Sequence, residues 1–159
     1  MFRSLHMKLM LILLLLITSL MTVVGAFLTT SVSKFYIDTF YQQMSDVFGA
    51  DNSSVVTDLR NAAEEDNAVE LISDILSTNA GNLGIDYNTR NYFVLDGQTG
   101  TFLSGSASNS ELPREQSANL LTARNAVALQ DDTMVGDKSD ITSDYMDAAI
   151  PIFSGENAY

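Results

Sequence analysis

Hydrophobic residues first form an unbroken run, Leu9–Leu28, reading LMLILLLLITSLMTVVGAFL. It holds no charged residue, and only Thr18, Ser19 and Thr22 carry hydroxyls. As a helix it spans roughly 30 Å, the hydrocarbon thickness of a bilayer. The pattern then changes rather than ending. Leu28, Val32, Phe35, Tyr36, Phe40, Met44 and Val47 recur at spacings of three and four, and no Pro or Gly intervenes before Gly49. This predicts that the helix continues as an amphipathic one over Thr29–Phe48. Its stripe either packs on its own domain or pairs with the same helix of a second subunit.

Further along, a turn at Gly49–Ser53 precedes a second helix with Val55, Leu59, Ala62, Ala63, Val69, Ile72, Ile75 and Leu76 on one face. Asp66 interrupts that face, and Asn67 with Glu70 forms a potential capping box, so a kink or restart is expected there. Gly81 suits the left-handed position past a helix end. Two short strands, Tyr92–Asp96 and Thr101–Ser104, are joined by Gly97-Gln98-Thr99-Gly100. A third helix is expected over 113–129, with Pro113 at its first position, then an acidic loop over Asp131–Asp144. Tyr145–Phe153 reads as a strand, with Met146, Ala148, Ile150 and Ile152 on one face and Tyr145, Asp147, Ala149, Pro151 and Phe153 on the other. A turn at Ser154–Asn157 leads into Ala158-Tyr159, the first residues of another strand. Three strands make a poor sheet, so the natural chain is expected to continue beyond Tyr159. The fold class is α+β.

Charge gives the run a direction. Arg3 and Lys8 precede it, and no acidic residue occurs before Asp38. All 20 acidic residues lie beyond it against six basic ones, a net −14 for that portion. The positive-inside rule puts residues 1–8 in the cytoplasm, 9–28 across the membrane and 29–159 outside as one domain. Val24-Gly25-Ala26 is a passable signal-peptidase site, so cleavage and release is the alternative; the length of the run and the apolar Phe27 and Leu28 past that site argue for an uncleaved anchor. So acidic a domain repels phosphate backbones, which excludes nucleic acid as a partner. With no cysteine there is neither a disulfide framework nor a thiolate metal site.

Catalytic constellations are absent. The sole histidine, His6, lies at the membrane edge, so no Ser–His–Asp triad is available. Glu64-Glu65 are adjacent and do not face each other on a helix. Asp131, Asp132, Gly136, Asp137 and Asp140 miss the ligand spacing of a calcium loop and read as a solvated acidic loop. No metal site or catalytic residue is assigned.

Order and motifs together resemble a known family. The segment Tyr92–Ser106, YFVLDGQTGTFLSGS, looks like the first hairpin of PAS-like, Cache-type extracytoplasmic sensors, and Asp144–Ile152, DYMDAAIPI, resembles a later central strand in those of bacterial sensor histidine kinases. The resemblance implies a membrane-anchored signal-input segment of a two-component histidine kinase, a homodimer in contact with membrane lipid, sensing an unknown small molecule or protein signal. A chemotaxis-type receptor uses the same input domain, and a secreted binding protein is the reading if the leader is cleaved. The resemblance also implies a ligand pocket on one sheet face, with Tyr92, Val94, Tyr145 and Asp147 as lining residues. No cofactor is expected in this chain; ATP and Mg belong to a kinase core, whose phospho-accepting His motif has no counterpart here.

Overall fold

The computed structural model describes residues 2–49, 53–112, 117–131, 133–136, 145–155 and 157–159. It is an α+β arrangement of helices and small antiparallel sheets. Two compact units emerge, one ending at Asp38 and one running from Thr39 to Tyr159. Helix α1, Phe2–Phe48, contributes to both.

In the first unit α1 begins well before the apolar run, because nothing in Phe2–Lys8 breaks a helix. Every large apolar side chain from Leu9 to Leu28 is between 45% and 74% exposed. The hydroxyls satisfy themselves on the helix. Thr18 donates to the Leu14 and Leu15 carbonyls at 2.9 and 3.0 Å, and Thr22 to the Thr18 carbonyl at 2.8 Å. An uncharged helix with no covering protein is stable only where the surroundings are apolar. By length and composition this helix fits a membrane span or a signal sequence.

The second unit starts where the α1 stripe turns inward at Phe40 and Met44, both buried. Helices α2, Ser54–Ala63, and α3, Ala68–Thr78, pack on each other. Leu59, Ala62, Ala63, Ala68, Ile72 and Leu76 come from their facing stripes and form the centre of the core. The expected restart at Asn67 occurs, but the capping box does not form. Asn67 makes no side-chain cap; its carbonyl takes the Glu70 and Leu71 amides at 3.1 and 3.2 Å instead. Gly81 does not end the helix either. It lies inside a further turn, α4, Ala80–Leu83, and the left-handed position falls to Gly84, with φ of 64°. A side chain at Gly84 would also collide with the Arg90 guanidinium and the Gln43 amide, so backbone conformation and close approach both require glycine there.

Strands β1, Phe93–Leu95, and β2, Phe102–Gly105, form the expected antiparallel hairpin. The register shifts between Val94 and Leu95, so that Val94 faces Ser104 while Leu95 faces Phe102. The turn is held by Asp96, whose Oδ1 accepts from the Gln98 and Thr99 amides at 3.0 and 2.6 Å. Gly97 donates to the Ala158 carbonyl at 2.7 Å, and a Cβ there would strike Ala158.

Helix α5, Ala118–Leu129, is capped by Ser117, whose Oγ accepts from the Leu120 amide at 2.9 Å. The expected start at Pro113 lies outside the described residues. The expected strand Tyr145–Phe153 is a correction. Ala149 makes an isolated bridge with Val135, and regular pairing begins only at β3, Phe153–Ser154, which pairs with β4, Asn157–Ala158. Pro151 has no N–H to give a ladder, and Asp147 is tied sideways to α5. One expected face survives in part: Ala148, Ile150 and Ile152 pack on the core, but Met146 is exposed, and Pro151 of the other face is buried. Of the acidic loop, Asp132 and 137–144 lie outside the described residues. Asp131 there accepts from the amide and hydroxyl of Thr133 at 3.0 and 2.6 Å.

Candidate functional site

Between the helical core, β1, α5 and the Tyr145–Ile152 segment lies a cavity of about 720 Å³. That volume is in the range of small-molecule sites. Its floor is apolar, built from core residues such as Phe40, Leu59 and Ile72. Polar side chains enter from the loop before β1, from α5 and from Tyr145–Asp147.

All four residues singled out in the sequence border this cavity. Val94 is a core side chain that supplies apolar wall. Tyr92 is set by its amide, which donates to Ser106 Oγ at 2.9 Å, and by its hydroxyl, which donates to the Ser73 carbonyl of α3 at 3.1 Å. Burial, the dominant influence, pushes its phenol above the ordinary value, so it stays neutral and acts as wall and strut. Tyr145 is half-buried at the rim.

Asp147 is the most constrained of the four. One carboxylate oxygen accepts from the Ser117 hydroxyl. The other accepts from Asn119 Nδ2 at 3.0 Å, which also reaches the Asp147 carbonyl at 3.2 Å. Asn119 is 2% exposed, and its Nδ2 lies 3.5 Å from the Tyr41 hydroxyl of α1. Ser117 caps α5 and Asn119 lies in its first turn, where the helix dipole also favours a negative group. The carboxylate therefore braces the cavity wall against α5.

Arg90 was not singled out in the sequence, yet it is the best-placed cation of the wall. Its amide donates to Asp86 Oδ1 at 2.9 Å. Its Nη1 donates to Gln43 Oε1 at 2.8 Å and to the Leu83 carbonyl at 3.1 Å, and its guanidinium carbon stands 5.0 Å from the centre of the Phe40 ring. Both side-chain hydrogen bonds among the described residues use Nη1. Asp86 organises the loop beneath it. The Thr89 hydroxyl, then the Arg90, Asn88 and Thr89 amides, hold the Asp86 carboxyl far below the usual carboxylate range. Arg124 of α5 lines the opposite side and donates from Nη2 to the Gln98 carbonyl at 3.0 Å. The nearby Asp96 carboxyl is lowered, first by the Thr99 amide and hydroxyl and also by the Arg124 charge.

This wall suits recognition. It carries no histidine or cysteine, and among the described residues no group of three metal-capable side chains comes together. What it offers a ligand is an apolar floor and the fixed Arg90 guanidinium, with the Asp147 carboxylate spent on holding the wall to α5. The sequence signal for Asn119 was weak: one of several polar residues, with Thr122, Arg124 and Asn125, in a helix whose apolar face is poorly marked. No protein-family model matches this chain, and no curated protein or solved structure matches it.

Proposed function

We propose that this chain is the signal-input segment of a membrane-bound, two-component sensor histidine kinase. Its α1 spans the cell membrane once over Leu9–Leu28, and the acidic unit lies outside as a PAS-like, Cache-type sensor domain. The cavity takes a small ligand with both apolar and polar parts. Binding there biases the packing of α1 within a homodimer. Phosphotransfer, with ATP and Mg, belongs to a kinase core and not to this chain.

The observation that carries the reading is the uncovered, uncharged helix Leu9–Leu28, with Arg3 and Lys8 just before it and all 20 acidic residues beyond it. Support comes from the order of elements after it and from a cavity next to residues of α1 itself, Phe40, Met44 and Phe48. The absence of cysteine allows a clean test. Single cysteines at Ser4 and at Ser106 are challenged with a membrane-impermeant maleimide in intact bacteria expressing the chain. Ser106→Cys is expected to label and Ser4→Cys to stay protected until the membrane is opened. Cysteines at exposed positions between Val32 and Val47 are expected to crosslink between subunits with helical spacing. Reversed labelling, or a mature chain recovered from the medium, overturns the anchored sensor; absence of crosslinks at every position overturns the dimer.

A further inference from the structure

The apolar character of α1 does not stop where the uncharged run does. Val32, Phe35 and Tyr36 stay exposed beyond it, and the Phe35 and Tyr36 rings are 66% and 63% exposed. Their centroids lie 6.0 Å apart in an edge-on pair. The six residues between them and the run, Thr29–Lys34, begin with Thr29 and Thr30. Both hydroxyls are already satisfied, donating to the Gly25 and Ala26 carbonyls at 2.9 Å. Those threonines therefore need no water and tolerate hydrocarbon depth. Taking Thr30 as the last residue at that depth, Phe35 and Tyr36 lie about 8 Å farther along the axis. That is at the outer edge of the headgroup layer, which adds roughly 5–8 Å on each side of the hydrocarbon.

Charge points the same way. Lys34 is the only charged residue between Lys8 and Asp38. It directly precedes the ring pair in the chain, and a lysine stem can lie along apolar surface while its ammonium reaches the lipid phosphates. The acidic residues that an anionic surface would repel start only with Asp38.

We propose that Lys34, Phe35 and Tyr36 form the outer interfacial anchor of α1, docked on the lipid headgroup layer and fixing how deep the helix sits. The inference rests on the reading that Leu9–Leu28 spans a bilayer. A second copy of the helix fits these residues less well. Phe35 and Tyr36 are consecutive, so they spread over about 100° of the helix surface, wider than a two-helix seam. A pair of amphipathic rings beside a cation is what the membrane–water boundary favours.

The chain has no tryptophan, so each introduced one is a sole reporter. Leu20→Trp, Phe35→Trp and Tyr36→Trp are made in the full chain and reconstituted in phosphatidylcholine–phosphatidylglycerol vesicles. Quenching is read with acrylamide in the water and with lipids brominated near the headgroup or near the bilayer centre. The expected result is severalfold stronger quenching of Phe35→Trp and Tyr36→Trp by the shallow bromines than by the deep ones, with weak acrylamide quenching. Leu20→Trp is expected to show the reverse depth preference. If Leu20→Trp is quenched at depth but Phe35→Trp and Tyr36→Trp are reached mainly by acrylamide, the anchor is wrong and the span stands. Shielding of both from bromine and acrylamide alike also overturns the anchor, in favour of a second copy. Failure of Leu20→Trp to respond to any brominated lipid removes the span itself.

Discussion

Helices α2 and α3 and the segment Tyr145–Ile152 border the same core, but they are held there by different physics. The helices bury complementary apolar stripes, with Leu59 only 1% exposed. The segment buries Ile152 and Pro151 but owes its position to polar links, above all Asp147 on Ser117 and Asn119. Apolar packing is non-directional and tolerates small adjustments, whereas a carboxylate clamp works only in one geometry. A cavity can exist between the two because the clamped side is fixed without having to fill the space.

Breaking the apolar side has the largest expected effect. Leu59→Ala removes the most buried aliphatic side chain at the α2–α3 junction and is expected to cost about 2–5 kcal/mol. Urea unfolding of the chain in detergent micelles, followed by far-ultraviolet circular dichroism, measures it. A loss below about 1 kcal/mol would mean that the helical pair repacks freely, and the contrast with the clamped segment would fail.

Breaking the clamp is a smaller and more local change. Asn119→Ala strips one donor from Asp147 and leaves the buried end of α5 short of a bond, at a cost of about 1–3 kcal/mol. Amide hydrogen exchange distinguishes this from a general loss. Exchange over Tyr145–Ile150 is expected to accelerate more than exchange over α2 and α3. Equal acceleration everywhere would show that the segment has no separate means of attachment.

The same contrast explains what the sequence revealed. Periodicity placed α2 and α3 and their restart, because each stripe is written in neighbouring residues. Uniform hydrophobicity placed α1, and the turn residues Gly97–Gly100 placed the hairpin. The strand expected over Tyr145–Phe153 shrank, because alternation records which faces are apolar and not whether the backbone finds a partner. Tyr92, Val94, Tyr145 and Asp147 do border one cavity. Arg90 and Asn119 went unseen, since their meaning lies in partners 47 and 28 residues away along the chain. The first-turn position of Gly81 misled for a similar reason: the left-handed residue had to be the one that Arg90 lies against, Gly84.

Acid sharpens the comparison at its gentlest. The polar scaffold beneath Arg90 is organised by the Asp86 carboxylate, whereas the α2–α3 interface is built from apolar side chains. Asp86 has its carboxyl pKa lowered on folding, first by the Thr89 hydroxyl and then by the Arg90, Asn88 and Thr89 amides. A depressed carboxyl contributes stability that is fully present above its unfolded value of 3.8 and is lost as pH falls toward the folded value. Asp86→Asn keeps an oxygen that can accept the same amides but carries no charge. Wild type is therefore expected to exceed Asp86→Asn slightly in stability at neutral pH, with the gap closing as pH drops below about 4. Urea midpoints measured from pH 7 to pH 2 track that gap. Because Asp86 is fully exposed, solvent screening keeps the difference small. A gap that stays constant through acid would mean that the loop is shaped by its backbone alone. The fixed charge would then play no part in holding the cavity wall.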